Sequence, residues 1–255
     1  MAVTVEDALP PARRRSPGRA LDPRLGRFAL LCVGGLGLVV SAGTLLFDSA
    51  SAVPVAVAAL AFVVAAVVAA SSLRRHHPHA RLGLANAVTL LRLALVSTLL
   101  VPLLVALLGG PAAPVPVVVI AIVALCLDGV DGWLARRQGL SSPFGARFDM
   151  EVDSAFGLVL AVLAVVAGGV GWWVLLLGLP RYLFGLAGLV APWLNGPLPP
   201  RFSRKVICVV QLAVLIAVQS PWFAGLPGVV IVIAALLALA WSFGSDILWL
   251  RRHPA

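Results

Sequence analysis

The chain has 255 residues, 61% of them hydrophobic and 11% charged, with a formal net charge of +9. Its mean hydropathy is +1.06 and its isoelectric point is near 11.3. A soluble domain is about 25% charged, so this composition excludes an ordinary water-soluble enzyme, and the high hydrophobicity equally excludes a disordered chain.

Met1 to Arg27 is rich in Pro and Arg and is expected to form a disordered basic tail on the cytoplasmic surface. It lacks the short apolar core and small-residue cleavage site of a signal peptide, so the apolar stretch behind it is expected to be retained. From there the sequence predicts an all-α fold, a polytopic transmembrane helical bundle of about eight spans. They lie near residues 28–47, 53–73, 88–109, 113–135, 146–169, 172–191, 205–220 and 226–249.

Charge fixes the expected orientation. The basic residues of the tail, Arg74, Arg75 and Arg81 behind the second span, Arg136, Arg137 and Arg147 between the fourth and fifth, Arg201, Arg204 and Lys205 before the seventh, and Arg251 and Arg252 after the last all fall on one side. The opposite loops, near 48–52, 110–112, 170–171 and 221–225, contain neither Lys nor Arg. The positive-inside rule places both termini in the cytoplasm of a cell-membrane protein. The net charge then reflects topology and attraction to anionic lipid, and no nucleic-acid partner is needed to explain it. Two cations are left over from this pattern. Arg92, in the first turns of the third span, is positioned to snorkel to the surface. Arg181, near the middle of the sixth, is a functional candidate by its depth. Cys32, Cys126 and Cys208 sit in separate apolar segments and read as small hydrophobes. His76, His77 and His79 lie in a cytoplasmic loop and are expected to be solvated.

The acids are distributed unevenly. Asp128, Asp131, Asp149, Glu151 and Asp153 crowd the joint between the fourth and fifth spans. Asp128 and Asp131, three apart, share a helix face, as do Asp149 and Asp153, four apart. Glu151 points away from the second pair. Two antiparallel helices would bring both pairs together as an all-oxygen site suited to Mg²⁺ or Mn²⁺. An Asp/Arg network using Arg136, Arg137 and Arg147, or a cation pathway of the transporter kind, fits the spacing as well.

Written out, the window is Asp128-x-x-Asp131-Gly132-x-x-Ala135-Arg136, then eight residues, then Gly145-x-x-x-Asp149-x-x-x-Asp153. This pattern resembles the signature of the CDP-alcohol phosphotransferases at every specified position, and Asn86, Thr89 and Arg92 are similar to a less specific entry sequence of that family. The resemblance implies a six-helix core over residues 82–255, with residues 28–81 forming an added pair of helices. It implies that Asp128, Asp131, Asp149 and Asp153 hold two divalent cations, Mg²⁺ or Mn²⁺, and that Asp153 is also the general base. It further implies that Gly132, Ala135 and Gly145, supported by Arg136, cradle the CDP moiety. The expected activity is transfer of a phosphatidyl group from CDP-diacylglycerol to an alcohol with release of CMP, and a homodimer in the lipid membrane.

Arg181, Arg201, Arg204 and Lys205 form an expected cationic pocket for a phosphate-bearing acceptor such as glycerol 3-phosphate, inositol phosphate or phosphatidylglycerol. Synthases of phosphatidylglycerophosphate and phosphatidylinositol phosphate commonly place a basic residue directly after the last Asp, where this chain has Ser154. The alternative is a non-catalytic or transport membrane protein whose Asp cluster binds a cation.

Overall fold

The computed structural model describes residues 23–47, 51–77, 79, 81–166, 170–196, 198–199 and 201–252. Among these the chain is helical throughout, with short 3₁₀ turns and no strand. The helices are α1 (Pro23–Leu46), α2 (Val53–His76), α3 (Leu84–Thr98), α4 (Leu100–Leu107), α5 (Pro114–Gln138), α6 (Pro143–Val166), α7 (Leu175–Gly178), α8 (Pro180–Val190), α9 (Phe202–Ala217) and α10 (Leu226–Arg252). The expected tail lies outside the described residues up to Asp22, and α1 begins at Pro23, within the stretch assigned to it.

Each of the eight predicted apolar segments coincides with one or two helical elements, but they are not equivalent. Five helices are long and apolar enough to cross a membrane: α1, α2, the α3–α4 pair taken together, α5 and α10. The α7–α8 segment makes a sixth if its 71° bend lies within a single span. Helix α6 has the length, at 24 residues, but Arg147, Asp149, Glu151 and Asp153 occupy its first half. Helix α9 has only 16 residues. An integral membrane protein is therefore established by composition and length, whereas a count of eight complete spans is not.

Proline explains the interruptions. Pro102 has no N–H to give the Thr98 carbonyl, and the helix breaks at Leu99 between α3 and α4. Pro180 likewise opens α8 immediately after the Leu179 break. Helix α5 ends at Gly139, which adopts φ 62° and closes the helix through its N–H to the Arg136 carbonyl.

Helix α3 is the axis of the fold. Its segment is 67% buried, against 17–33% for the other spanning helices. It packs against α1, α2, α5 and α6, and places Leu90, Ala94 and Val96 in the core with Phe156, Leu160 and Ala161 of α6. The outer faces of α1, α2, α5 and α10 expose Leu, Val and Ile, as lipid-facing helices do because hydrocarbon solvates them well. Helices α6 and α7 cross closely at Gly178, where a Cβ would lie 2.7 Å from the Ala161 Cβ and 3.0 Å from the Gly157 carbonyl oxygen. Gly178→Ala is expected to destabilise the fold by about 1–3 kcal/mol through overpacking. Gly185→Ala, where a Cβ meets open space, is expected to be neutral or stabilising. Thermal unfolding of both variants in one detergent checks the contrast.

Candidate active site

The site forms where α3, α5 and α6 meet. Asp128 and Asp131 project from one face of α5, and Asp149 and Asp153 from one face of α6. Between them stands Arg92 of α3, 1% exposed. Its Nη1 lies 3.0 Å from Asp131 and 2.6 Å from Asp149. Its Nη2 lies 2.9 Å from Asp128 and also pairs with Asp153. Its Nε donates to the Ala124 carbonyl at 3.2 Å, so all three nitrogens of the guanidinium are engaged. The Thr89 hydroxyl, one turn before Arg92, is 3.1 Å from Asp131 Oδ2.

Arg92 therefore does not snorkel. Its position near the head of α3 suggested an escape to the surface, but α3 is the central helix and the face that carries Arg92 is turned to α5 and α6. The carboxylate cluster is joined to Arg92 rather than to Arg136, Arg137 or Arg147. Among the described residues those three make no ion pair with it; Arg136 and Arg147 are exposed, and Arg137 lies 4.9 Å over the Trp133 ring.

One guanidinium against four carboxylates leaves an excess of three formal negative charges when all are ionised. Uncompensated charge of that size is costly near a membrane. Asp128, Asp131 and Asp149 offer oxygens that lie within 4.8 Å of one another, a grouping able to hold a metal ion. Oxygen-only donors with surplus negative charge fit a hard divalent cation. Asp131 is buried, while Asp128, Asp149 and Asp153 are half-buried.

A cavity of about 140 Å³ adjoins the cluster and is lined by Asn86, Thr89, Gly132, Ala135, Gly145 and the two acids Asp131 and Asp149, among others. Three residues singled out in the sequence for the nucleotide cradle, Gly132, Ala135 and Gly145, thus share one wall system. Arg136 stands next to it; a Cβ on Gly132 would lie 3.5 Å from the Arg136 Nη1. At Gly145 a Cβ would lie 3.0 Å from Asn86 Oδ1, so glycine keeps that wall open.

The cationic residues fall into two ion-pair groups. Arg204 lies 3.0 Å and Arg201 4.0 Å from Asp246 of α10, and Arg204 also donates to the Pro199 carbonyl at 3.3 Å. Lys205 is exposed. Arg181 pairs with Glu151 and Met150 of α6. It is partly exposed and lies in the opening turn of α8, directly after the Leu179–Pro180 break. Glu151 faces away from the carboxylate cluster, as its spacing predicts, and meets Arg181 instead.

The roles of Arg92, Thr89 and Asn86 within the site were not read from the sequence. The signal was present: polar residues at three-residue intervals in an otherwise apolar helix mark a face that meets something polar. Asp246 of α10 meets Arg204 across 42 residues of sequence, a partnership that needed the fold.

Fold and site together define an integral-membrane helical protein with an all-oxygen carboxylate centre beside a small-residue cavity. Residues 82–243 match the CDP-alcohol phosphatidyltransferase family, and the chain belongs to it. Proteins from two strains of Mycobacterium tuberculosis, each named a probable phosphatidylglycerophosphate synthase, are 34% identical to it over 168 residues, covering 64% of this chain and 79% of theirs. No solved structure matches the chain. Neither the fold nor these relatives support the homodimer that the resemblance implied.

Removing one partner from a buried ion network leaves charges uncompensated and costs about 3–5 kcal/mol. Arg92→Ala is expected to lose stability of that order, and Arg92→Lys less, since it keeps the charge but not the fork. Thermal unfolding without divalent metal measures both.

Proposed function

We propose that the protein is a divalent-metal-dependent phospholipid synthase that transfers the phosphatidyl group of CDP-diacylglycerol to glycerol 3-phosphate and releases CMP. The observation that carries this reading is the gathering of Asp128, Asp131, Asp149 and Asp153 around Arg92, with Asp131 and Asp149 also lining the cavity that contains Gly132, Ala135 and Gly145. The family accounts for the donor. The relatives' name favours glycerol 3-phosphate as acceptor over inositol phosphate or phosphatidylglycerol, and the basic residues Arg201, Arg204 and Lys205 supply charge suited to its phosphate.

In this reading the catalytic unit is the six-helix core of residues 82–255, with the site at the cytoplasmic surface and both termini on that side. Asp128, Asp131 and Asp149, completed by Asp153, would hold two divalent cations, Mg²⁺ or Mn²⁺. When bound, such ions neutralise pyrophosphate charge and favour attack at phosphorus. The remaining work falls to the chain itself. Arg92 holds the four carboxylates in one cluster. Gly132 and Gly145 leave room for close approach of the nucleotide, and Arg136 borders it. Asp153, half-buried, takes the proton of the acceptor hydroxyl, as a base in hydrogen-bonding reach does. The hydroxyl oxygen bonds to the phosphorus carrying diacylglycerol, the bond from that phosphorus to CMP breaks, and CMP departs with the electron pair.

Purified protein in mixed micelles with Mg²⁺ is expected to release CMP from CDP-diacylglycerol when glycerol 3-phosphate is added, and to stop when the metal is chelated. Asp153→Asn is expected to lower kcat by about 10²–10⁴-fold while the protein remains folded. Release with inositol phosphate or phosphatidylglycerol alone would reassign the acceptor. Silence with every acceptor, from a folded protein, would favour the cation-binding alternative.

A further inference from the structure

The helices α1 and α2 lie outside the segment that matches the family, and the reaction chemistry gives them no task. Their connection to α3 nevertheless reaches the cavity wall. His77, directly after α2, is 5% exposed, so it is not the solvated loop residue its neighbours suggested. Its Nε2 lies 2.8 Å from the Arg81 carbonyl. A carbonyl oxygen only accepts, so Nε2 carries a proton, and in the neutral ring Nδ1 is an acceptor. That Nδ1 is 3.1 Å from the Ser142 hydroxyl, which then donates to it.

Ser142 is the N-cap of α6. Its Oγ accepts the Gly145 N–H at 3.1 Å, satisfying a donor at the first turn that the helix itself leaves unpaired. The chain of bonds therefore runs from Arg81 through His77 and Ser142 to the backbone of Gly145, on the cavity wall. The imidazole is fixed from other directions as well. The Phe144 ring meets it edge-on at 5.8 Å. Arg24 of α1 donates to the His77 and His79 carbonyls, each at 3.0 Å, and His79 Nε2 lies 3.1 Å from the Ser141 carbonyl. The added helix pair is thus tied by side chains to the loop between α5 and α6, which separates the two halves of the acidic pattern.

We propose that His77 is a positioning residue: through Ser142 it holds the α5–α6 loop and the Gly145 backbone in the shape that receives the cytidine diphosphate end of the donor. The amino-terminal helices supply a strut for the donor site. This rests on the functional reading above for the identity of the ligand, but the strut itself is a property of the fold.

Two measurements on the full-length protein test it: titration with CDP in Mg²⁺, and amide hydrogen exchange over residues 142–146. His77→Ala is expected to weaken CDP binding about three- to tenfold, the effect of one lost hydrogen bond, and to speed exchange over that segment while the thermal midpoint stays close to wild type. His77→Asn, whose Oδ1 can take the place of Nδ1 as acceptor, is expected to recover both. Ser142→Ala is expected to reproduce the His77→Ala effects, and the double variant to be no worse than either, as coupled neighbours behave. Unchanged exchange at 142–146 in His77→Ala would overturn the proposal. So would faster exchange throughout the chain with a lowered midpoint, which marks a merely structural residue. Wild-type protein that fails to bind CDP would count against the functional reading instead.

Discussion

A single guanidinium holding four carboxylates is the constraint on which this structure turns. Arg92 is buried at the axis of the bundle, and all three nitrogens of its fork find partners on α5 or α6. Charges taken out of water need such partners, and the attraction is strong only where geometry is good. The interaction therefore dictates how α3, α5 and α6 are placed: α3 must be central, and both acidic helices must present their polar turns to it. The apolar remainder of each helix can then face the core or lipid without further specification.

The same cluster explains why structure and chemistry coincide here. Arg92 offsets part of the carboxylate charge but leaves an excess, so the network is sufficient to assemble the helices and incomplete as an electrostatic balance. Carboxylate oxygens left partly accessible next to a small-residue cavity suit divalent cations and phosphates. The outlying cations obey a different logic. Arg201 and Arg204 share Asp246, and Arg181 is matched with Glu151, so these three are held by acids of their own rather than drawn into the carboxylate cluster.

Much of this was legible in the sequence, for identifiable reasons. Apolar run length located every helical segment, because hydrocarbon imposes length directly. The spacing of Asp128, Asp131, Asp149 and Asp153 placed two pairs on two faces, because helical periodicity is local. What was not legible depended on distant partners or on broken helices. Arg92 lies 39 to 61 residues from Asp131, Asp149 and Asp153, and an Arg near the head of an apolar segment looks the same whether it snorkels or is buried. The pairing of Arg181 with Glu151, 30 residues away, depended on how α8 leaves the break at Pro180. His77 resembled its exposed neighbour His76 in sequence, and only the return of the α5–α6 loop buries it.

The central claim is that the Asp128/Asp131/Asp149/Asp153 cluster is a divalent-cation site despite the guanidinium within it. Titration of the purified protein with Mn²⁺, followed by electron paramagnetic resonance with and without CDP, tests this most directly. The account predicts saturable Mn²⁺ binding that tightens with CDP and is lost in Asp131→Asn. Mn²⁺ that remains free in solution with folded wild-type protein, or binding unaffected by Asp131→Asn, would contradict it and leave the cluster as a purely structural network around Arg92.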